Sequence, residues 1–175
     1  TERLQSRGLL KLDKMAETIE AFALGNAASA AKEIFLSYAR DDQAVARKYA
    51  EGLEREGLTV WWDVALRSGE SYDVVMEAAL KAAKAVVVLW SKKSVDSRWV
   101  RAEATQADQS GILVPVMIEA CKRPIMFALT QTAELSHWDG APRDNAWLGL
   151  VDDVRTIIRK GPSAKNDGAL AAAKP

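Results

Sequence analysis

The chain has 175 residues with 24 basic and 24 acidic side chains, and zero net charge excludes a broad electrostatic footprint for nucleic acid. Hydrophobic residues make up 49% of the chain, enough for one full core of ordinary domain size, which excludes wholesale disorder. A single cysteine, Cys121, and a single histidine, His137, exclude an internal disulfide framework and a His/Cys metal cage; no apolar run reaches the ~18 residues of a membrane span.

Residues 1–24 read as a helix, because Leu12, Met15, Ile19 and Phe22 recur at spacings of 3, 4 and 3 with Lys and Glu between them. Two heptads fall short of a coiled coil. Gly25, Asn26 and the Ala/Ser run stop the helix, so 1–31 is an N-terminal helix and linker, joined to an upstream sensor or oligomerisation domain. From Glu33 onward, short apolar runs alternate with amphipathic helices. Residues 34–36 form a buried strand, and Asp41 or Asp42 caps a helix whose apolar face is Ala46, Tyr49, Ala50 and Leu53, ended by Gly57. A second strand covers 58–61 and a polar loop covers 63–71. The next helix turns Tyr72, Val75, Met76, Ala79 and Leu80 to one side. The all-apolar run 85–89 is a strand covered on both faces. A helix over 94–109 follows, then a strand over 112–118 in which Pro115 predicts a bulge or an edge. A short strand near 133–136 leads to a last helix carrying Trp147, Val151, Val154 and Ile158, stopped by Gly161-Pro162. Such alternation predicts a parallel α/β sheet with helices on both faces over 32–160, followed by a flexible tail over 161–175.

No GxGxxG follows the first strand and no GxxxxGK[ST] occurs, so dinucleotide-fold and P-loop readings fail. A Ser-His-Asp triad would have to use His137, which no GxSxG elbow accompanies and which reads as an ordinary residue near a strand end. One carboxylate stands out. Glu103 follows Trp99 by four residues, which puts indole and carboxylate on one helix face. That pairing suits a flat aromatic group stacked on the ring while the carboxylate reaches an adjacent sugar. Ligands of such sheets bind beyond the carboxyl ends of the strands. The 37–40 loop, the 63–71 loop and the start of the Glu103 helix all belong to that edge.

Ile34-Phe35-Leu36-Ser37-Tyr38-Ala39-Arg40-Asp41-Asp42 resembles the first conserved box of Toll/interleukin-1 receptor (TIR) domains. Val60-Trp61-Trp62-Asp63, followed by Leu66 and Gly69, resembles that family's strand B and BB loop. Trp99-Val100-Arg101-Ala102-Glu103 is similar to the WxxxE of its NAD-cleaving members, and Ser136-His137-Trp138 falls where the third box would be. The four motifs come in the family's order across about 32–160. The alanine-rich helices look bacterial rather than animal.

The resemblance implies a flavodoxin-like five-stranded parallel sheet and cleavage of NAD+ at its nicotinamide–ribose bond, in bacterial defence signalling. It implies Glu103 as the catalytic residue and Trp99, Tyr38, Arg40, Ser37, Asp63 and Ser71 as substrate-binding residues. Leu66, Arg67, Ser68, Gly69 and Glu70 fall on the BB loop, which the resemblance makes a head-to-tail contact with a second TIR domain. NAD+ is then a substrate, no cofactor or metal is needed, and the location is cytoplasmic. Ala39 stands where some members carry a second arginine, and Ser71-Tyr72 replaces an aromatic position. Two other readings stay open: a non-enzymatic TIR–TIR adaptor, and a CheY-like phosphoacceptor using Asp41 and Asp42, which would want an aspartate where Trp90-Ser91 stands.

Overall fold

The computed structural model describes residues 32–62 and 72–163. The N-terminal helix and linker, the loop carrying Asp63, Leu66, Arg67, Ser68, Gly69, Glu70 and Ser71, and the tail from 164 lie outside the described residues. The five strands are β1 (Ile34–Ser37), β2 (Val60–Trp61), β3 (Ala85–Trp90), β4 (Leu113–Met117) and β5 (Ala133–Glu134), in the order β2-β1-β3-β4-β5. Every pairing is parallel, as the flavodoxin-like expectation requires. The described helices are α1 (Gln43–Arg55), α2 (Tyr72–Ala82), α3 (Arg98–Gln109) and α4 (Asn145–Lys160).

Side-chain alternation along each strand divides the core in two. Ile34, Leu36, Val87, Leu89, Val114 and Val116 face α1 and α4, whereas Phe35, Val86, Val88 and Trp90 face α2 and α3. All six residues of β3 are buried, because both faces of the central strand are covered. On the α1/α4 side, Trp138 stacks on Trp147 at 4.0 Å and 4°, and Tyr49 meets both rings edge-on. Gly52 makes room for this cluster, since a Cβ there would stand 2.7 Å from the Trp147 ring.

Several local expectations are corrected. The helix expected over 94–109 is broken: Ser94–Asp96 form a 3-10 turn, Ser97 is extended, and α3 begins at Arg98. The Ser97 hydroxyl accepts the Val100 N–H at 3.4 Å and so caps the new start. Asp42 precedes α1 without capping it, because its carboxylate accepts the Ser91 hydroxyl at 2.5 Å. The strand expected over 58–61 is two residues shorter, since the Leu58 N–H closes α1 on the Leu53 carbonyl. Likewise, the strand near 133–136 ends at Glu134, whose side chain turns back to take the Ser136 N–H.

Pro115 makes no bulge, as β3 and β4 pair without interruption from Leu113 to Met117. The bonds Ile118 N to Trp90 O and Leu135 N to Met117 O put even-numbered residues of β4 toward β3 and odd-numbered ones toward β5. The Pro115 nitrogen therefore faces β5, whose pairing begins only at Val116, and β4 is locally an edge strand there.

Candidate functional site

In the order β2-β1-β3-β4-β5 the chain reverses direction across the sheet between β1 and β3, and a crevice opens where such an order switches. A cavity of about 720 Å³ lies there, within the range of small-molecule sites. Ser37, Tyr38, Ala39, Arg40 and Asp41 from the end of β1 form one wall; Lys93, Ser97, Trp99, Val100 and Glu103 from the region after β3 form the other. Trp62 beyond β2 and Asp73 and Met76 of α2 complete it.

The capped start of α3 sets the two wall residues of greatest interest. Trp99, in the first turn, is 57% exposed and offers an open ring, whereas Glu103 one turn later is 8% exposed. The Ser37 hydroxyl donates to Oε2 of Glu103. Burial pushes the Glu103 carboxyl above its ordinary range, and the Ser37 hydrogen bond pulls the other way. The cavity is thus lined by both a desolvated carboxyl group and an exposed aromatic ring, one helical turn apart. Such a pair can bind a planar ring and stabilise positive charge developing beside it.

Two further contacts shape the walls. The Tyr38 hydroxyl donates to the Trp62 carbonyl at 3.0 Å, joining the ends of β1 and β2. Ser91, just past β3, donates to Asp42 and accepts the N–H groups of Lys93 and Ser94 at 3.2 and 3.0 Å, while Ser94 accepts the Ser91 N–H at 2.7 Å. This network ties the loop after β3 to the turn after β1. It also occupies the positions that a phosphoacceptor would use, since Trp90 ends β3, a serine follows it, and the serine hydroxyl engages Asp42.

Five sequence-derived site residues therefore meet in one cavity: Ser37, Tyr38, Arg40, Trp99 and Glu103. Asp63 and Ser71 lie outside the described residues. Sequence reading missed Lys93, Trp62, Asp73 and Met76. Lys93 was accessible to it, standing three residues past an apolar strand at the ligand-binding edge. Asp73 and Met76 had no such signal, because they come from a helix that opposes the edge only in three dimensions. His137 is not among the lining residues; its Nε2 lies 3.2 Å from Asp144 at the start of α4.

A sequence-family model described as TIR domain matches residues 34–148. No curated protein matches the chain significantly. Among solved structures, the chain is similar to the TIR domain of the Toll-related receptor TRR-2 from Hydra magnipapillata, with TM-score 0.58 and 19% identity over 70% of this chain and 97% of that one. It is also similar to a TIR-STING receptor from C. gigas, solved with 2′,3′-cGAMP, with TM-score 0.55 and 24% identity over 75% of this chain. A second structure of a TIR-STING receptor from C. gigas gives TM-score 0.52 at 24% identity over 75% of this chain. The chain spans 41% of the length of that receptor in each case. At these identities the likeness is one of fold.

Proposed function

The chain belongs to the TIR domain family, and on that premise we propose that it cleaves NAD+ at the nicotinamide–ribose bond, as a glycohydrolase or cyclase. The observation that carries the reading is the buried carboxylate of Glu103 in a cavity rimmed by the exposed ring of Trp99. Nicotinamide in NAD+ is a cationic leaving group. When its bond to the ribose anomeric carbon breaks, the bonding pair goes to the ring nitrogen and nicotinamide departs neutral, so no general acid is required. The ribose is left with oxocarbenium character, which a carboxylate stabilises as in glycoside hydrolysis. Water adding to the anomeric carbon and losing a proton gives ADP-ribose; an adenine nitrogen of the same nucleotide adding there gives a cyclic product.

In this reading Glu103 faces the developing charge, Trp99 stacks on the nicotinamide, and Tyr38 and Arg40 border the nucleotide, as do Asp63 and Ser71 in the loop beyond β2. Signalling in bacterial defence and a cytoplasmic location belong to the same proposal; no helix among the described residues is long and apolar enough to cross a membrane. Chromatography of NAD+ after incubation with concentrated protein tests it. Glu103→Gln removes charge without changing shape, and loss of one aligned electrostatic group costs about 2.7–4 kcal/mol in the barrier, roughly a hundredfold or more in rate. Intact NAD+ with the wild-type protein would favour the adaptor reading, and turnover unchanged in the variant would remove Glu103 from the catalytic role.

Self-association is the second half of the proposal. A head-to-tail contact through Leu66, Arg67, Ser68, Gly69 and Glu70 can propagate as an open filament, and zero net charge lowers the repulsion opposing it. An upstream domain would then act by raising local concentration. Specific activity should rise with protein concentration, and Gly69→Pro should depress it. Constant specific activity across about a hundredfold dilution, with a monomeric mass throughout, would exclude assembly as the trigger.

A further inference from the structure

Ser37 closes β1, in register with Val88 of the central strand, and exposes 1% of its surface. Both Ser37 and Glu103 line the cavity, Ser37 the more deeply buried of the two at 1% against 8% exposed. Among the described residues its hydroxyl has one partner, Oε2 of Glu103. A hydroxyl has a single proton, and here that proton is committed to the carboxylate. A glutamate has three rotatable side-chain bonds, so a carboxylate reaching across from a helix to a strand end needs a partner to fix its plane.

Charged and titratable groups share the cavity lining with Glu103: Tyr38, Arg40 and Asp41 beyond β1, Asp73 from α2, and Lys93 from the connection after β3. Arg98 and Arg101 precede it on α3 itself. Burial pushes the Glu103 carboxyl up, and the Ser37 hydrogen bond pulls it down.

We propose that Ser37 is a positioning residue and not a substrate contact: its hydroxyl holds Oε2 of Glu103 and leaves Oε1 free for a ribose hydroxyl. The inference rests on Glu103 being the group beneath the reacting sugar. It differs from the assignment of Ser37 as a substrate-binding residue that the family resemblance implies. A hydrogen bond to the ionised form also keeps Glu103 charged in a site that would otherwise favour its protonation.

The experiment uses the full chain labelled with carboxyl-carbon glutamate, the Glu103 signal being identified by its loss in Glu103→Gln. In Ser37→Ala the carboxyl midpoint should rise by about one to two pH units, the shift equivalent to one hydrogen bond to a charged group. Ser37→Cys keeps the volume with a weaker donor and should fall between, and it carries the test if the alanine variant folds poorly. In NAD+ cleavage the acidic limb should move up with the midpoint and kcat should fall about tenfold near the limb while KM holds. An unchanged midpoint in both variants, or a raised KM with kcat and midpoint intact, would overturn the proposal. Intact NAD+ with the wild-type protein would instead overturn the enzymatic reading, while the carboxyl titration still decides whether Ser37 holds Glu103.

Discussion

Trp138 and Trp147 lie against each other and against Tyr49 on one side of the sheet, the pair 9% and 1% exposed; Trp99 stands at the cavity with more than half its surface open. The residue type is the same and the use is opposite. On the α1/α4 side, aromatic area is spent on packing, and a glycine at 52 lets the rings approach the helix backbone. At the crevice, an aromatic face is left to solvent beside a desolvated carboxylate, an arrangement that adds little to folding and is costly for the charge. Stability and chemistry are thus segregated to different parts of one small domain.

The largest effect expected from breaking this segregation comes from paired truncations. Trp147→Ala removes a fully buried ring and should cost about 3–5 kcal/mol of stability in chemical denaturation. Trp99→Ala should change stability by no more than about 0.5 kcal/mol, yet lower kcat/KM for NAD+ about tenfold, as loss of a stacking platform does. A large fall in Tm for Trp99→Ala with unchanged turnover would mean that Trp99 only packs, and the contrast would collapse.

A smaller effect sharpens the packing half. Gly52→Ala would put a methyl group 2.7 and 2.8 Å from ring atoms of Trp147 and 3.1 Å from Trp138. Neither stacked ring can withdraw without opening the cluster, so a loss of about 1–3 kcal/mol is expected, the usual cost of overpacking. NAD+ turnover per folded molecule should not change. A variant as stable as the wild type would show that the aromatic cluster yields easily.

How much of this was readable beforehand follows from where each determinant resides. The five strands and their order of appearance were legible because apolar runs such as 85–89 and helical periodicities such as Trp147-Val151-Val154 are local patterns. Glu103 and Trp99 were legible because one helical turn brings them together within a single element. The Ser97 break was not, since its cause is a side-chain cap inside an otherwise continuous helical pattern. Asp42 misled for a related reason: its sequence context suits a helix cap, but its carboxylate is taken by Ser91, 49 residues away. Ser37 was picked out as belonging to the site, whereas its bond to a residue 66 positions away has no sequence signature. The closure of the cavity by Asp73 and Met76 depends likewise on how α2 settles over the sheet edge.

The smallest expected effect tests whether the site half is bought at the expense of stability. Burial raises the folded-state pKa of Glu103 above the ordinary value of 4.5, so the folded protein binds this proton more tightly than the unfolded chain does. Below the unfolded value both states are protonated and no penalty exists. As pH rises from 4.5 through the raised folded value, the unfolded chain ionises first, and folding increasingly opposes the charge. Above the folded value the penalty is complete. Glutamine has no such titration and can still accept the Ser37 hydroxyl through its amide oxygen. Glu103→Gln should therefore melt a few degrees above the wild type near pH 7.5, given that ~1 kcal/mol moves Tm by about 2–8 °C in domains of this general size. The gap should close as pH falls toward 4.5, with Gly52→Ala as a control whose deficit has no titrating group behind it. A variant that is less stable than the wild type at neutral pH would show that the Glu103 charge supports the fold, and the division of labour between the two tryptophan environments would have to be redrawn.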